Sequence, residues 1–162
     1  MLAPMSSCRR QVVVDAPVER LWELIGDVNR HPEWWPRVED VQCELLESGC
    51  TYRQVTRRPG KTITSTFSIE CLDDCRELRV RCLDTGMFAG FLLSAAQDAT
   101  FVDAELGMDP IQTLDRITDP IVGRPYMRRW LEQSLDGLRR AACSAGGVDQ
   151  EPGGESREPA AT

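Results

Sequence analysis

The sequence predicts an α+β fold: a curved antiparallel sheet of about seven strands wrapped around one long C-terminal helix, with two short helices after the first strand. Three observations predict it. Between Val38 and Met108, short β-branched or alternating segments follow one another, separated by turns rich in Gly, Pro and Asp. After Asp109-Pro110 the apolar period changes from that of a strand to that of a helix. A helical pattern also appears once near the start, directly behind the first apolar run.

Taken in order, residues 10–15, "RQVVVD", form a β-branched run and the first strand, which Ala16-Pro17 ends. Pro17 suits the first position of a helix, and Glu19 favours its N-terminus. Val18, Leu21, Trp22 and Ile25 make one apolar face before Gly26-Asp27 closes the helix. Asn29 is then the expected N-cap of a very short second helix. In it, His31-Pro32-Glu33-Trp34-Trp35-Pro36 is one turn, since Pro32 is tolerated at its start and Pro36 stops it.

Strands are expected over 38–46, with Val41, Cys43 and Leu45 on one face, then over 51–58, 62–72, 77–83, 87–96 and 99–108. Ile63, Ser65, Phe67, Ile69 and Cys71 share a face, as do Leu78, Val80 and Cys82, with Arg79 and Arg81 opposite. Ile111, Leu114, Ile117 and Ile121 open the helical pattern, which Met127, Leu131, Leu135 and Leu138 continue beside Trp130 and Ser134. Gly123 and Pro125 predict a break there, with the main helix over 125–143. Arg128 with Glu132, and Asp136 with Arg140, are expected i,i+4 pairs on its outer face. Residues 1–7 read as a flexible N-terminus, 8–143 as one ligand-binding domain and 144–162, with almost nothing apolar, as a disordered tail.

The 162 residues suffice for one core, and 41% hydrophobic with 28% charged residues is an ordinary balance for a globular chain. The net charge of -7 argues against a nucleic-acid binder, which needs a basic face. No apolar run approaches a membrane span. The start "MLAPMSSCRR" places its arginines after the apolar residues, the reverse of a secretory signal, so a cytoplasmic location is expected. Lys61 and Asn29 are the only lysine and the only asparagine, the signature of GC-rich bacterial coding. The 7 cysteines are then expected to be reduced. Cys71 and Cys75 make half a metal site, but no second close pair completes it, so neither metal nor cofactor is expected.

The opening "VVVDAPVERLWELIGDVNRHPEWWPRVEDVQ", with Ala-Pro, a helix carrying Trp22, then Asp27 and Pro32-x-Trp34, resembles that of the START-like (SRPBCC) superfamily of polyketide cyclase/dehydrase and lipid-transport proteins. The resemblance runs on in layout to "RRWLEQSLDGLRRAA". It implies a helix-grip fold with a hydrophobic cavity between sheet and long helix, plugged at one end by the short helices. Expected lining residues from the inward faces are Val41, Ser65, Phe67, Ile69, Val80, Phe91, Leu93, Val102 and Ala104, with Met127, Trp130, Leu131 and Ser134 on the helix. Trp34 is expected to be buried and Trp35 to sit half-wet at the cavity rim.

Catalytic motifs are missing from the chain: it has no G-x-S-x-G elbow, no G-x-G-x-x-G and no P-loop. His31, the only imidazole, is expected to face water. Superfamily cyclases are understood to order a polyketide with a few polar groups. The positions that could do so here are Tyr52, Arg53, Arg57, Ser65, Asp103 and Tyr126. By alternation Arg53 and Arg57 share a face with Val55, which either lines the pocket mouth or is solvated, as the face of an edge strand is.

The expected function is therefore binding, as carrier or sensor, of a hydrophobic small molecule such as a lipid or polyketide-like compound. The alternatives are a polyketide cyclase, aromatase or dehydratase, and a protein-interaction module of toxin–antitoxin type. The sequence leaves the oligomeric state open between monomer and weak dimer.

Overall fold

The computed structural model describes residues 6–109 and 115–144. Residues 1–5 of the segment expected to be flexible, the apolar positions Ile111 and Leu114 and the expected tail beyond Ser144 lie outside these residues. The described residues form seven strands: β1 (Ser6–Val14), β2 (Val38–Gln42), β3 (Thr51–Arg58), β4 (Lys61–Asp73), β5 (Glu77–Cys82), β6 (Met87–Ala96) and β7 (Ala99–Met108). Helix α1 (Val18–Ile25) and a 3₁₀ helix (Val28–Glu33) lie between β1 and β2, and α2 (Asp115–Ser144) follows β7. The sheet runs β1-β7-β6-β5-β4-β3-β2, with every neighbour antiparallel. β2 to β7 are thus a meander, and β1 closes onto its last strand. The two edge strands are joined in sequence by the short helices.

Alternation decides which face is buried. On β5, Leu78, Val80 and Cys82 face the core, while Arg79 and Arg81 carry charge on the convex side. On β7, Val102, Ala104 and Leu106 point inward, and on β6 Phe91 and Leu93 do. The register shifts between Val38 and Asp40 and between Ile69 and Cys71, and such irregularities bend the sheet around α2. α2 offers Met127, Trp130, Leu131, Leu135 and Leu138 to the concave side.

Several boundaries differ from the sequence expectation. β1 begins at Ser6, so Ser6 and Ser7, expected in the flexible N-terminus, pair with Met108 and Gly107. β2 stops at Gln42, and Leu45 and Leu46 are exposed rather than continuing a buried face. The physical reason is Asn29. Its side-chain amide donates to the Cys43 carbonyl (3.1 Å) and accepts from the Cys43 N–H (2.9 Å), so it takes the place of a neighbouring strand. Asn29 is therefore not the N-cap. Asp27 caps the 3₁₀ helix, its carboxylate accepting from the Asn29 N–H. The buried face of α1 is Leu21, Leu24 and Ile25, with Trp22 only half-buried. α2 runs unbroken through Gly123 and Pro125. Arg128 meets Glu132 as expected, whereas Asp136 pairs with Arg139 instead of Arg140.

Trp34, directly after the 3₁₀ helix, meets α2 at one close backbone approach. A methyl group on Gly137 of α2 would collide with the Trp34 carbonyl oxygen. That oxygen is backbone and cannot swing away. Replacement of Gly137 by Ala should therefore lower the unfolding free energy by about 1–3 kcal/mol. Alanine's helix propensity alone predicts a gain of about 1 kcal/mol. Denaturant melting of Gly137→Ala decides between the two; a higher midpoint than wild type would contradict the close approach.

Candidate functional site

Helix α2 comes closest to the sheet backbone at β1 and β7. Across the middle strands it stands farther off, and side chains fill the space. The segment after α1 supplies the largest of them. Trp34 and Trp35 stack at 5.5 Å with their planes only 11° apart. Phe91 of β6 presents itself edge-on to both, at 5.6 and 5.7 Å. Trp130 of α2 lies 5.9 Å from Trp35, with Tyr126 a further 6.3 Å along the helix. Indole N–H groups pin two of the rings: Trp34 Nε1 donates to the Leu24 carbonyl (2.9 Å) and Trp130 Nε1 to the Pro36 carbonyl (2.8 Å). Trp35 is not at a half-wet rim. Only 2% of it is exposed, and its Nε1 has no protein acceptor.

His31 does not face water either. It is fully buried, edge-on to Trp34 and Trp35, with Nε2 2.9 Å from the Ile25 carbonyl. A carbonyl only accepts, so Nε2 carries the proton and Nδ1, which has no partner, is the bare nitrogen. Burial pushes the imidazole down to about 4, against the weaker opposing pull of the Ile25 carbonyl and Asp27. This histidine is neutral at pH 7 and is a packing residue, not an acid–base group.

At the other end of the stack the chain turns into β2 through Arg37, whose φ of 73° is unusual for a residue with a side chain. The Arg37 guanidinium donates to the Tyr126 hydroxyl and lies 4.6 Å from the centre of its ring. This contact ties the Trp-Trp-Pro segment to α2.

The far wall of the gap is β3 and β4. Tyr52 and Gln54 point inward, and Arg53 and Arg57 point to solvent, where Arg57 pairs with Glu39. Tyr52 stacks on its cross-strand partner Phe67 at 5.5 Å, and Gln54 lies opposite Ser65. The Tyr52 hydroxyl and the Gln54 Oε1 have no partner, although the two residues are 3% and 0% exposed. Burial raises the Tyr52 phenol far above its ordinary value, so it keeps its proton.

All fourteen of the expected lining residues are buried, from Trp35 and Val41 through Phe67, Phe91 and Val102 to Met127, Trp130 and Ser134. The Ser134 hydroxyl is engaged with the Trp130 carbonyl of its own helix (2.6 Å). The candidate catalytic positions Arg53, Arg57, Asp103 and Tyr126 do not converge. Arg53 and Arg57 are exposed, and Tyr126 lies beneath Arg37. Asp103 sits on the convex face, bound by Arg9 (2.7 Å) and Gln11 (3.0 Å), and the Arg9 hydrogen bond holds its carboxyl below the usual range. Gln54 is the residue that sequence reasoning missed. The signal lay in the same alternation: with Arg53 and Arg57 outward, Gln54 has to face in. Among the described residues, no three His, Cys, Asp or Glu side chains gather as they would around a metal ion. An open groove of about 340 Å³ lies outside the core between Trp22, Leu46 and Leu72.

Comparison with known proteins fits this geometry. Residues 5–142 match the family model described as polyketide cyclase / dehydrase and lipid transport. Among solved structures, TTHA0849 from Thermus thermophilus superposes with a TM-score of 0.71 at 18% identity, covering 88% of this chain and 100% of that one. A START superfamily protein from Mycobacterium smegmatis gives 0.62 at 14% identity, covering 86% and 95%. DynU16, from the dynemicin biosynthetic locus, gives 0.61 at 17% identity, covering 88% of this chain and 49% of that one. At these identities the likeness is one of fold alone. No curated protein matches the sequence.

The buried imidazole has a consequence for stability. Its folded value lies below the value of about 6.5 for a free histidine, so the unfolded chain binds the proton first. Its share of stability is complete above about pH 6.5 and is lost as the pH falls toward 4. The loss across that window should approach ~3 kcal/mol. Denaturant melts of wild type and His31→Gln from pH 7 to 4.5 should show a shallower pH slope in the variant; parallel slopes would contradict the assignment.

Proposed function

The chain belongs to the polyketide cyclase/dehydrase and lipid-transport family, with the helix-grip fold of its START-like relatives, and on that premise we propose that it binds a hydrophobic small molecule between sheet and α2, as a carrier or sensor. The observation that carries this reading is the spacing of α2, which approaches the sheet backbone at β1 and β7 and leaves the middle strands to be covered by aromatic side chains. A gap filled by Trp35, Phe91 and Trp130 can admit a guest when those rings rearrange, and an apolar guest replaces their contacts with its own. The charged and imidazole side chains considered for chemistry do not converge on the gap. The only imidazole has its Nε2 committed to a carbonyl, and Arg53, Arg57 and Asp103 lie outside the gap.

A second reading, a cyclase or dehydratase acting on a polyketide, is favoured by one observation: Tyr52 and Gln54 place uncommitted polar atoms on the inner wall. The likeness of fold to DynU16, from a biosynthetic locus, is compatible with either reading. The setting we propose is the cytoplasm of a bacterium, which the seven unpaired thiols suit. The proposed binding domain is residues 8–143.

Protein purified without detergent and titrated with Nile red, a neutral apolar dye, should show one saturable site that quenches tryptophan emission. Trp35→Ala should lower stability by about 3–5 kcal/mol and, by enlarging the gap, raise dye affinity. Trp22→Ala should leave that affinity unchanged. Absence of a saturable site, or equal affinities for wild type and Trp35→Ala, would contradict the reading.

A further inference from the structure

The open groove beside α1 lies outside the core, and its lining has a definite chemistry. Its volume of about 340 Å³ lies in the range of small-molecule sites. Trp22 and Gly26 form the side toward α1, and a methyl group on Gly26 would overlap the indole, so the ring is laid against the Gly26 backbone. Trp22 is only half-buried, and part of its ring borders the groove. Leu46, from the loop after β2, and Leu72, near the end of β4, add apolar surface that the core does not cover.

The remaining lining residues are Glu23, Asp27 and Asp74, and no lysine or arginine lines the groove. Glu23 is shared by Arg20 (2.8 Å) and Arg30 (4.0 Å). Asp27 engages the Asn29 backbone and side chain through Oδ1 alone, and among the described residues its Oδ2 meets no donor. Asp74 forms no ion pair among the described residues, and Arg76 of the same turn pairs with Asp73 (3.5 Å). One aromatic ring, two leucines and uncommitted negative charge thus share a single space.

That combination selects its occupant by charge. An anion is repelled, and a neutral apolar molecule forgoes the carboxylates. A metal ion needs ligands drawn together, and among the described residues no three His, Cys, Asp or Glu side chains gather for one. The chain's own residues 145–162 have the wrong sign, with Asp149, Glu151, Glu155 and Glu158 against Arg157. An ammonium group with carbon substituents meets every element: indole attracts cations most strongly among the aromatic rings, the carboxylates supply counter-charge and the leucines take the carbon arm.

We propose that this groove binds an organic cation, an ammonium group carrying alkyl or aryl arms, with its head between the Trp22 indole and the carboxylates of Asp27 and Asp74. The site is separate from the gap between sheet and α2 and stands or falls independently of the carrier reading.

The test uses one ring with three charges: benzyltrimethylammonium, benzyl alcohol and benzenesulfonate. Each is titrated into the full chain labelled with 5-fluorotryptophan, and the fluorine lines are followed by NMR. Benzyltrimethylammonium is expected to move the Trp22 line saturably, leave the Trp35 and Trp130 lines in place and displace no Nile red. Benzyl alcohol is expected to bind about ten-fold more weakly, and benzenesulfonate not at all. Asp74 is exposed, so Asp74→Lys should melt like wild type while losing about ten-fold in affinity for the cation, and Asp74→Asn should lose less. Equal affinity for the alcohol or the sulfonate, movement of the Trp35 and Trp130 lines instead of Trp22, or unchanged affinity in Asp74→Lys would each overturn the proposal. So would a Trp22 line that answers to a lysine-rich peptide but not to the small cation, which would make the groove a protein-docking surface. A Trp22 line that moves with protein concentration alone would assign the groove to a second copy of the chain and overturn it as well.

Discussion

The stacked Trp34–Trp35 pair holds the long helix at its distance from the sheet, and much else in the molecule follows from that spacing. One ring is fixed by its N–H to the end of α1, and the neighbouring carbonyl of Trp34 meets α2 at Gly137, a helix position without a side chain to obstruct it. The stack therefore has a rigid side toward the helices and a free side toward β6 and Trp130. Trp34 belongs to the first and Trp35, with its unmet N–H, to the second. Two adjacent identical residues thus have different roles: one anchors, and the other fills space that a guest can take.

The polar atoms in this region divide in the same way. Several polar groups that serve the fold are paired: Asn29 closes the loop at Cys43, Thr100 holds Ala16, and Trp130 holds Pro36, while His31 Nδ1 and Arg20 Nε stay unmet. Where polarity faces the gap it is left open, on Trp35, Tyr52 and Gln54. Satisfied polar groups rigidify a core, whereas unmet ones weaken it and make the bound state more stable relative to the free one. The charges lie outside, where Arg9 binds Asp103 on the convex face and Arg37 binds Tyr126.

Long, regular strands are the legible part of the sequence. The alternation of Leu78, Val80 and Cys82 with Arg79 and Arg81 is a local property, and the structure follows it. On β6 and β7 alternation alone leaves the parity of Phe91 against Leu92 and of Val102 against Phe101 open, since one bulge inverts it, and the structure turns Phe91 and Val102 inward. What sequence does not convey depends on partners far along the chain. Asn29 reads as a helix cap because caps are local, but it acts on a backbone fourteen residues away. His31 reads as solvated because imidazole is polar, but α1 ends where its last carbonyl accepts a hydrogen bond from Nε2–H. Trp35 reads as a rim residue by analogy with other amphipathic rings, and the depth of the gap buries it. Gln54 escapes notice because a lone glutamine carries no motif; only its burial without a partner marks it.

If a ligand enters on the Trp35 side of the stack, the indoles themselves can report it. Fluorine NMR of the chain labelled with 5-fluorotryptophan reads all four at once, with Trp22 in the outer groove as an internal reference. On addition of 2-naphthol, the Trp35 and Trp130 lines should shift or broaden while the Trp22 line stays in place. Movement of the Trp22 line alone would put the ligand on the outer surface and contradict entry at Trp35.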